Sequence, residues 1–125
     1  MFIKTNPNPA NNLVGDCVIR AIAILMDKSW GFVFGTLYDK AFSMYDMPSS
    51  NAVWSSYLID RGYKRYIIPN SCPDCYTVRQ FCKDFPHGKF LLATGSHVVT
   101  VKNGNYYDTW DSGDEIPIYY FTKEE

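Results

Sequence analysis

The sequence predicts an α+β domain with its helices first and an antiparallel sheet last. Three observations carry that expectation. Residues 18–26 are apolar on nearly every side, with Arg20 the one charge, so they read as a helix buried on several sides. Between Ser29 and Gly62 the apolar residues return at helical spacing. From Lys89 onward the pattern changes to short β-rich runs, two of them joined by Asn103-Gly104, the preferred pair for a two-residue type I′ turn.

Each element follows from local signals. Residues 1–14 hold two prolines and four asparagines and read as an extended arm with turns. Gly15 and Asp16 read as turn and N-cap of a helix over 16–26, which puts Cys17 in its first turn. A second helix starts at Ser29 and runs through Trp30, Phe32, Val33, Phe34, Leu37, Ala41 and Phe42, with Gly31 and Gly35 each weakening it by roughly 1 kcal/mol relative to Ala. Ser49 or Ser50 caps a third helix carrying Val53, Trp54, Tyr57 and Leu58, and Gly62 stops it. Residues 63–68 read as a strand ended by Pro69-Asn70. After the loop 71–75 comes a short helix over 77–84 and a break at Pro86-His87-Gly88. Strands are expected over 89–93, 97–102, 105–110 and 116–121.

Composition narrows the function classes. At 125 residues the chain reads as a single domain, residues 1–125, able to build one core without cross-links. A net charge of −1 and the lack of any Lys/Arg run argue against a nucleic-acid partner. No stretch approaches the length of a membrane span, and the first residues lack the apolar core of a signal peptide. Four cysteines without an export signal are expected as reduced thiols in a cytoplasmic protein.

The hairpin locates the chemistry. With Asn103-Gly104 as the whole loop, Lys102 pairs with Asn105, Val101 with Tyr106, Val99 with Asp108 and His97 with Trp110. Alternation then puts His97, Val99, Val101, Tyr106, Asp108 and Trp110 on one face, and Asp111 on the other. His97 and Asp108 become diagonal neighbours about 7–8 Å apart, a gap that polar side chains bridge. Alone, Cys17 reads equally as a small buried hydrophobe, His97 as a satisfied core histidine and Asp108 as a turn-stabilising acid. Together they are the parts of nucleophilic catalysis: a thiolate favoured at a helix N-terminus, an imidazole base, and a carboxylate that fixes the tautomer. Trp110 flanks His97 on the same face and is a candidate for a substrate groove.

Asp16-Cys17 opening a buried helix, Ser96-His97-Val98-Val99 starting a strand and Tyr107-Asp108 on the next strand together resemble papain-like cysteine peptidases. The nearest likeness is to the compact leader-peptide peptidases fused to bacteriocin exporters. The chain is also similar to small uncharacterised bacterial and phage proteins, through residues 15–17, 51–54, 72–78 and 106–113. The resemblance implies a papain-like fold, its buried N-terminal helix packed on the C-terminal sheet, and no cofactor. It implies Cys17 as nucleophile, His97 as general base and acid, and Asp108 as the orienting residue. The family's oxyanion donor, usually a Gln about six residues before the Cys, corresponds here to Asn11, with Asn12 beside it. Val18 stands where the leader peptidases carry Gly.

Cys72, Cys75, Cys82 and His87 form a second candidate, with three sulfurs and one imidazole nitrogen at spacings a tetrahedral zinc accepts. Against zinc, Cys82 falls within the amphipathic run Val78, Phe81, Cys82, Phe85, where a buried thiol is the simpler account. The expectation is therefore a cysteine hydrolase acting on a peptide or protein substrate through Cys17, His97 and Asp108. The alternatives are an inactive binding or inhibitor protein of the same fold and a zinc-stabilised interaction module.

Overall fold

A computed structural model describes residues 1–69 and 72–124. Its elements in chain order are β1 (Phe2–Lys4), α1 (Cys17–Met26), α2 (Trp30–Met44), α3 (Asn51–Asp60), β2 (Lys64–Ile67), α4 (Val78–Asp84), β3 (Lys89–Ala93), β4 (Val98–Lys102), β5 (Asn105–Asp108) and β6 (Tyr119–Thr122). The fold is α+β, with four helices and a six-stranded mixed sheet of order β1-β5-β4-β3-β6-β2.

The sheet is covered on both faces because its central strands are apolar on both. In β3, Leu91 and Ala93 pack against α1, α2 and α3, while Phe90 and Leu92 pack against α4. In β4, Val98 joins the first cluster and Val99 and Val101 the second. Each fully buried Leu, Val or Phe of this kind contributes about 1.5–3 kcal/mol. α2 buries Val33, Leu37 and Ala41 at i, i+4 spacing, and α3 buries Val53, Trp54, Tyr57 and Leu58. Trp54 meets Tyr119 and Phe121 at ring-centroid distances of 6.2 and 5.6 Å.

The helix ends follow from local chemistry. The Ser29 hydroxyl accepts a hydrogen bond from the Phe32 N–H at 3.1 Å, and Thr77 and Gln80 form a reciprocal capping box. Asp27 ends α1 in the left-handed region, and its carboxylate takes Lys89 at 3.0 Å and Lys102 at 2.8 Å. Asn103 and Gly104 both have positive φ, as a type I′ turn requires.

One polar bond fixes how α1 lies on the sheet. The buried Thr100 hydroxyl in β4 donates to the Ala21 carbonyl at 2.5 Å. Cys17 is one helical turn before Ala21, about 6 Å along the axis. Val98 is two residues before Thr100, about 6.6 Å along the strand. The equal steps bring Cys17 level with Val98.

Several expectations are corrected. The sheet is mixed rather than antiparallel, because the N-terminal arm supplies β1, which runs parallel to β5 with Phe2 opposite Tyr106. Three residues ahead of Pro7 and Pro9 carry no periodic signal. The hairpin register holds for Lys102–Asn105 and Val101–Tyr106, but the ladder ends at Thr100–Tyr107. Asp108 pairs instead with Lys4, and neither His97 nor Trp110 lies within a strand. The last strand begins at Tyr119 rather than at 116, after Pro117, which has no N–H to give a ladder. Tyr63 and Ile68 flank β2 rather than belong to it; of its expected stop, Pro69-Asn70, Asn70 lies outside the described residues, as does Ser71 of the following loop. Asp16 stands at the N-cap of α1, yet its side chain makes no capping bond. Among the described residues no helix is long and apolar enough to cross a membrane.

Candidate active site

Cys17 is the first residue of α1 and is half-buried. The His97 side chain and the backbone N–H of Val98 lie beside its sulfur and favour its charged form. Burial pushes the thiol up. The His97 and Val98 hydrogen bonds, with the charges of His97 and Arg20, outweigh it and hold the Cys17 pKa below the usual thiol value.

His97 stands just outside β4, at the tip of the β3–β4 connection. Thr94 closes that tip: its N–H donates to the His97 carbonyl at 2.8 Å, and its hydroxyl exchanges hydrogen bonds with the His97 carbonyl and N–H, both at 3.1 Å. The turn frees the ring from the pleat of the strand. His97 Nε2 lies 2.6 Å from Asp108 Oδ2, which leaves Nδ1 as the nitrogen available to the sulfur. Burial disfavours the charged ring. Hydrogen bonds to Asp108 and Cys17, reinforced by their charges, raise it nonetheless from 6.5 to about 9.

Asp108 ends β5 and is 3% exposed. Oδ2 also accepts the Ser112 hydroxyl at 2.7 Å, and Oδ1 accepts the Thr109 N–H at 2.8 Å. Burial raises the carboxyl, but His97, Ser112 and the Thr109 N–H lower it further, so it stays ionised. Trp110 lies against the imidazole at a centroid distance of 5.0 Å and is 46% exposed, so it shields one side of the ring from water. It does not line the cleft, and the expected groove role is not borne by it.

The thiol and the imidazole open onto a cleft of about 360 Å³. Gly95 and Ser96 form one rim, and Leu37, Tyr38, Met47 and Trp54 line the side formed by α2, α3 and the loop between them. Asp16, the one acidic residue among the described residues that line the cleft, already bonds Arg20 and accepts the Trp30 indole N–H at 2.9 Å. The rest of the lining mixes these apolar side chains with Ser49, Asn51, Ser96 and His97.

The other expected site residues lie apart from this group. Asn11 and Asn12 are exposed and do not line the cleft; the Asn6 amide donates to the Asn11 side chain at 3.3 Å and to the Asn12 carbonyl at 3.0 Å. Cys72 and Cys75 are joined as a disulfide, which corrects the expectation of four reduced thiols and removes two sulfurs from the zinc set. Cys82 is buried on the core-facing side of α4, and His87 is exposed. Among the described residues no group of three or more His, Cys, Asp or Glu converges as a metal-ligand set.

Sequence reasoning missed Arg20, Ser112 and Thr94. Arg20 had a signal: a lone charge on an all-apolar helix must find a buried partner. Ser112 and Thr94 had none, since their roles arise from turns whose shape the sequence pattern does not specify. Comparison of the chain with family models, with curated proteins and with solved structures gave no match.

Proposed function

We propose that this chain is a papain-like cysteine hydrolase that cleaves a peptide or other amide bond by acyl transfer. One observation carries the reading: the His97 ring, held by Asp108 at 2.6 Å, stands beside the Cys17 sulfur at the edge of an open cleft. A lowered thiol beside a raised imidazole favours the thiolate–imidazolium pair over the neutral one.

In this mechanism the Cys17 thiolate attacks the carbonyl carbon, and the carbonyl π-electrons move to oxygen. N–H groups in the first turn of α1 have no partner within the helix and face the developing oxyanion, so the Cys17 N–H serves as one donor. The C–N bond then breaks, and the imidazolium passes its proton to the leaving amine. A thioester on Cys17 remains. His97, now neutral, takes a proton from water as the hydroxide attacks; the thioester breaks to give the acid and restores the thiolate–imidazolium pair. Asp108 keeps Nε2 occupied throughout, so Nδ1 is the nitrogen that exchanges protons.

The test is the rate of Cys17 alkylation by iodoacetamide across pH, followed by hydrolysis assays on a peptide library. Rapid alkylation near pH ~6, and hydrolysis lost in a folded Cys17→Ala variant, are expected. A sulfur titrating near ~8.5 would overturn the reading and leave a binding protein of this architecture; hydrolysis that survives Cys17→Ala would overturn it by placing the activity on other groups.

A further inference from the structure

The buried charge on α1 is not used by the acyl-transfer steps. Arg20 is 7% exposed in a helix whose other buried residues are all apolar. Its Nη1 donates to Asp16 Oδ1 and approaches the Val14 carbonyl at 3.4 Å, and its Nη2 lies 3.6 Å from Asp108 Oδ1. Asp16 immediately precedes Cys17, and Asp108 holds the imidazole. The remaining oxygens of both carboxylates are engaged as well, by Trp30 on Asp16 and by His97 and Ser112 on Asp108.

We infer that Arg20 is a positioning residue of this site, a buried brace that ties the helix start bearing Cys17 to the strand end bearing Asp108. The inference rests on the hydrolase reading and adds a component to it. A guanidinium suits the task because its flat fork presents donors in two directions at once, whereas an ammonium is a single point charge. It is also the cation that lets two buried carboxylates stand close to a thiolate. Without it, Asp16 would keep only the Trp30 N–H and Asp108 would depend on His97 and its hydrogen-bond donors, and a buried carboxylate is expensive to leave without a cation. Arg20 therefore acts on both the geometry and the field of the site without touching the reacting atoms. Its charge favours the thiolate directly, in line with its contribution to lowering the Cys17 pKa.

Iodoacetamide alkylation of Cys17 against pH tests this without a known substrate, on the full-length chain, with near-UV circular dichroism to verify the fold. Wild type is measured first: a Cys17 midpoint near ~8.5 overturns the hydrolase reading and this inference with it. With wild type low, Arg20→Met is expected to raise the midpoint by about one pH unit or more. Arg20→Lys keeps the charge but cannot hold both carboxylates, so its midpoint should fall between the two. Leu25→Ala weakens packing at the far end of the same helix and should leave the midpoint in place. A folded Arg20→Met with the wild-type midpoint overturns the inference, as does a shift that Leu25→Ala reproduces. If Arg20→Met does not fold, Arg20→Lys decides: a rise of about half a pH unit supports the brace, and no rise refutes it.

Discussion

Replacing Asp108 with asparagine keeps the shape of the side chain and removes its charge. In the wild-type protein His97 is raised to about 9 although burial disfavours the charged ring, and Asp108 contributes most to that rise, with Cys17 second. Relative to 6.5, the rise corresponds to roughly 3 kcal/mol in favour of the protonated imidazole. In Asp108→Asn, burial is opposed by Cys17 alone, so the ring should titrate at or below ~6.5. The assay is an NMR titration of the His97 Cε1–H signal, separated from that of the exposed His87 with a His87→Gln variant. The His97 midpoint should fall by about two pH units or more, and the Cys17 alkylation midpoint should rise as its imidazolium partner is lost. A His97 midpoint within ~0.5 unit of wild type would refute the claim that this carboxylate holds the proton on the ring.

The same groups shape stability against pH. Asp108, lowered in the folded state, contributes stability that is present above about 3.8 and lost as pH falls through its folded value, so wild type should weaken relative to Asp108→Asn in urea melts below that pH. On the alkaline side His97 contributes stability that is complete below 6.5 and lost as pH rises through about 9, while the lowered Cys17 gains stability toward 9. These opposed slopes predict a wild-type loss between pH 6.5 and 9 smaller than the roughly 3 kcal/mol that His97 alone would give, and a fall of that full size would contradict the coupling. Away from the site, a Cβ added at buried Gly113 would lie 2.6 Å from Arg79 Nη2 and closer still to the hydroxyl of buried Tyr106. Gly113→Ala should therefore destabilise by about 1–3 kcal/mol in urea melts, and an unchanged urea midpoint would mean that Tyr106 moves freely.

Those elements that announce themselves by period and punctuation were legible from the residues alone. The all-apolar run after Cys17 is the helix that lies between the sheet and α2. The four residues expected on α3, namely Val53, Trp54, Tyr57 and Leu58, are all buried, and Asn103-Gly104 makes the turn it signals. What was not legible was short or non-local. β1 is three residues whose only reason to be extended is the free edge of β5, more than a hundred positions away. The disulfide between Cys72 and Cys75 depends on two side chains meeting in a loop, which spacing permits but does not compel.

The site shows where pattern reasoning reaches its limit. Strict alternation puts His97 with Val99, Val101 and Tyr106, and those three pack under α4. α1, which carries Cys17, covers the opposite face with Val98 and Thr100. Applied literally, parity would therefore hold the imidazole and the thiol on different sides of the sheet. They meet because each is at an end. Cys17 opens its helix, His97 stands one residue outside β4 in a turn that Thr94 closes, and Asp108 is the last residue of β5, past the final rung it could share with β4. At the rim of a sheet the distinction between faces weakens, since a side chain there reaches around the end of the strand as readily as away from its surface. Arg20 makes the same point from the helix side by reaching Asp108 from α1. The grouping thus depends less on the pleat than on where the strands stop. Extending β4 by one residue, through a further rung between Thr94 and His97, would return His97 to the face under α4 and separate the groups without altering one of the three residues.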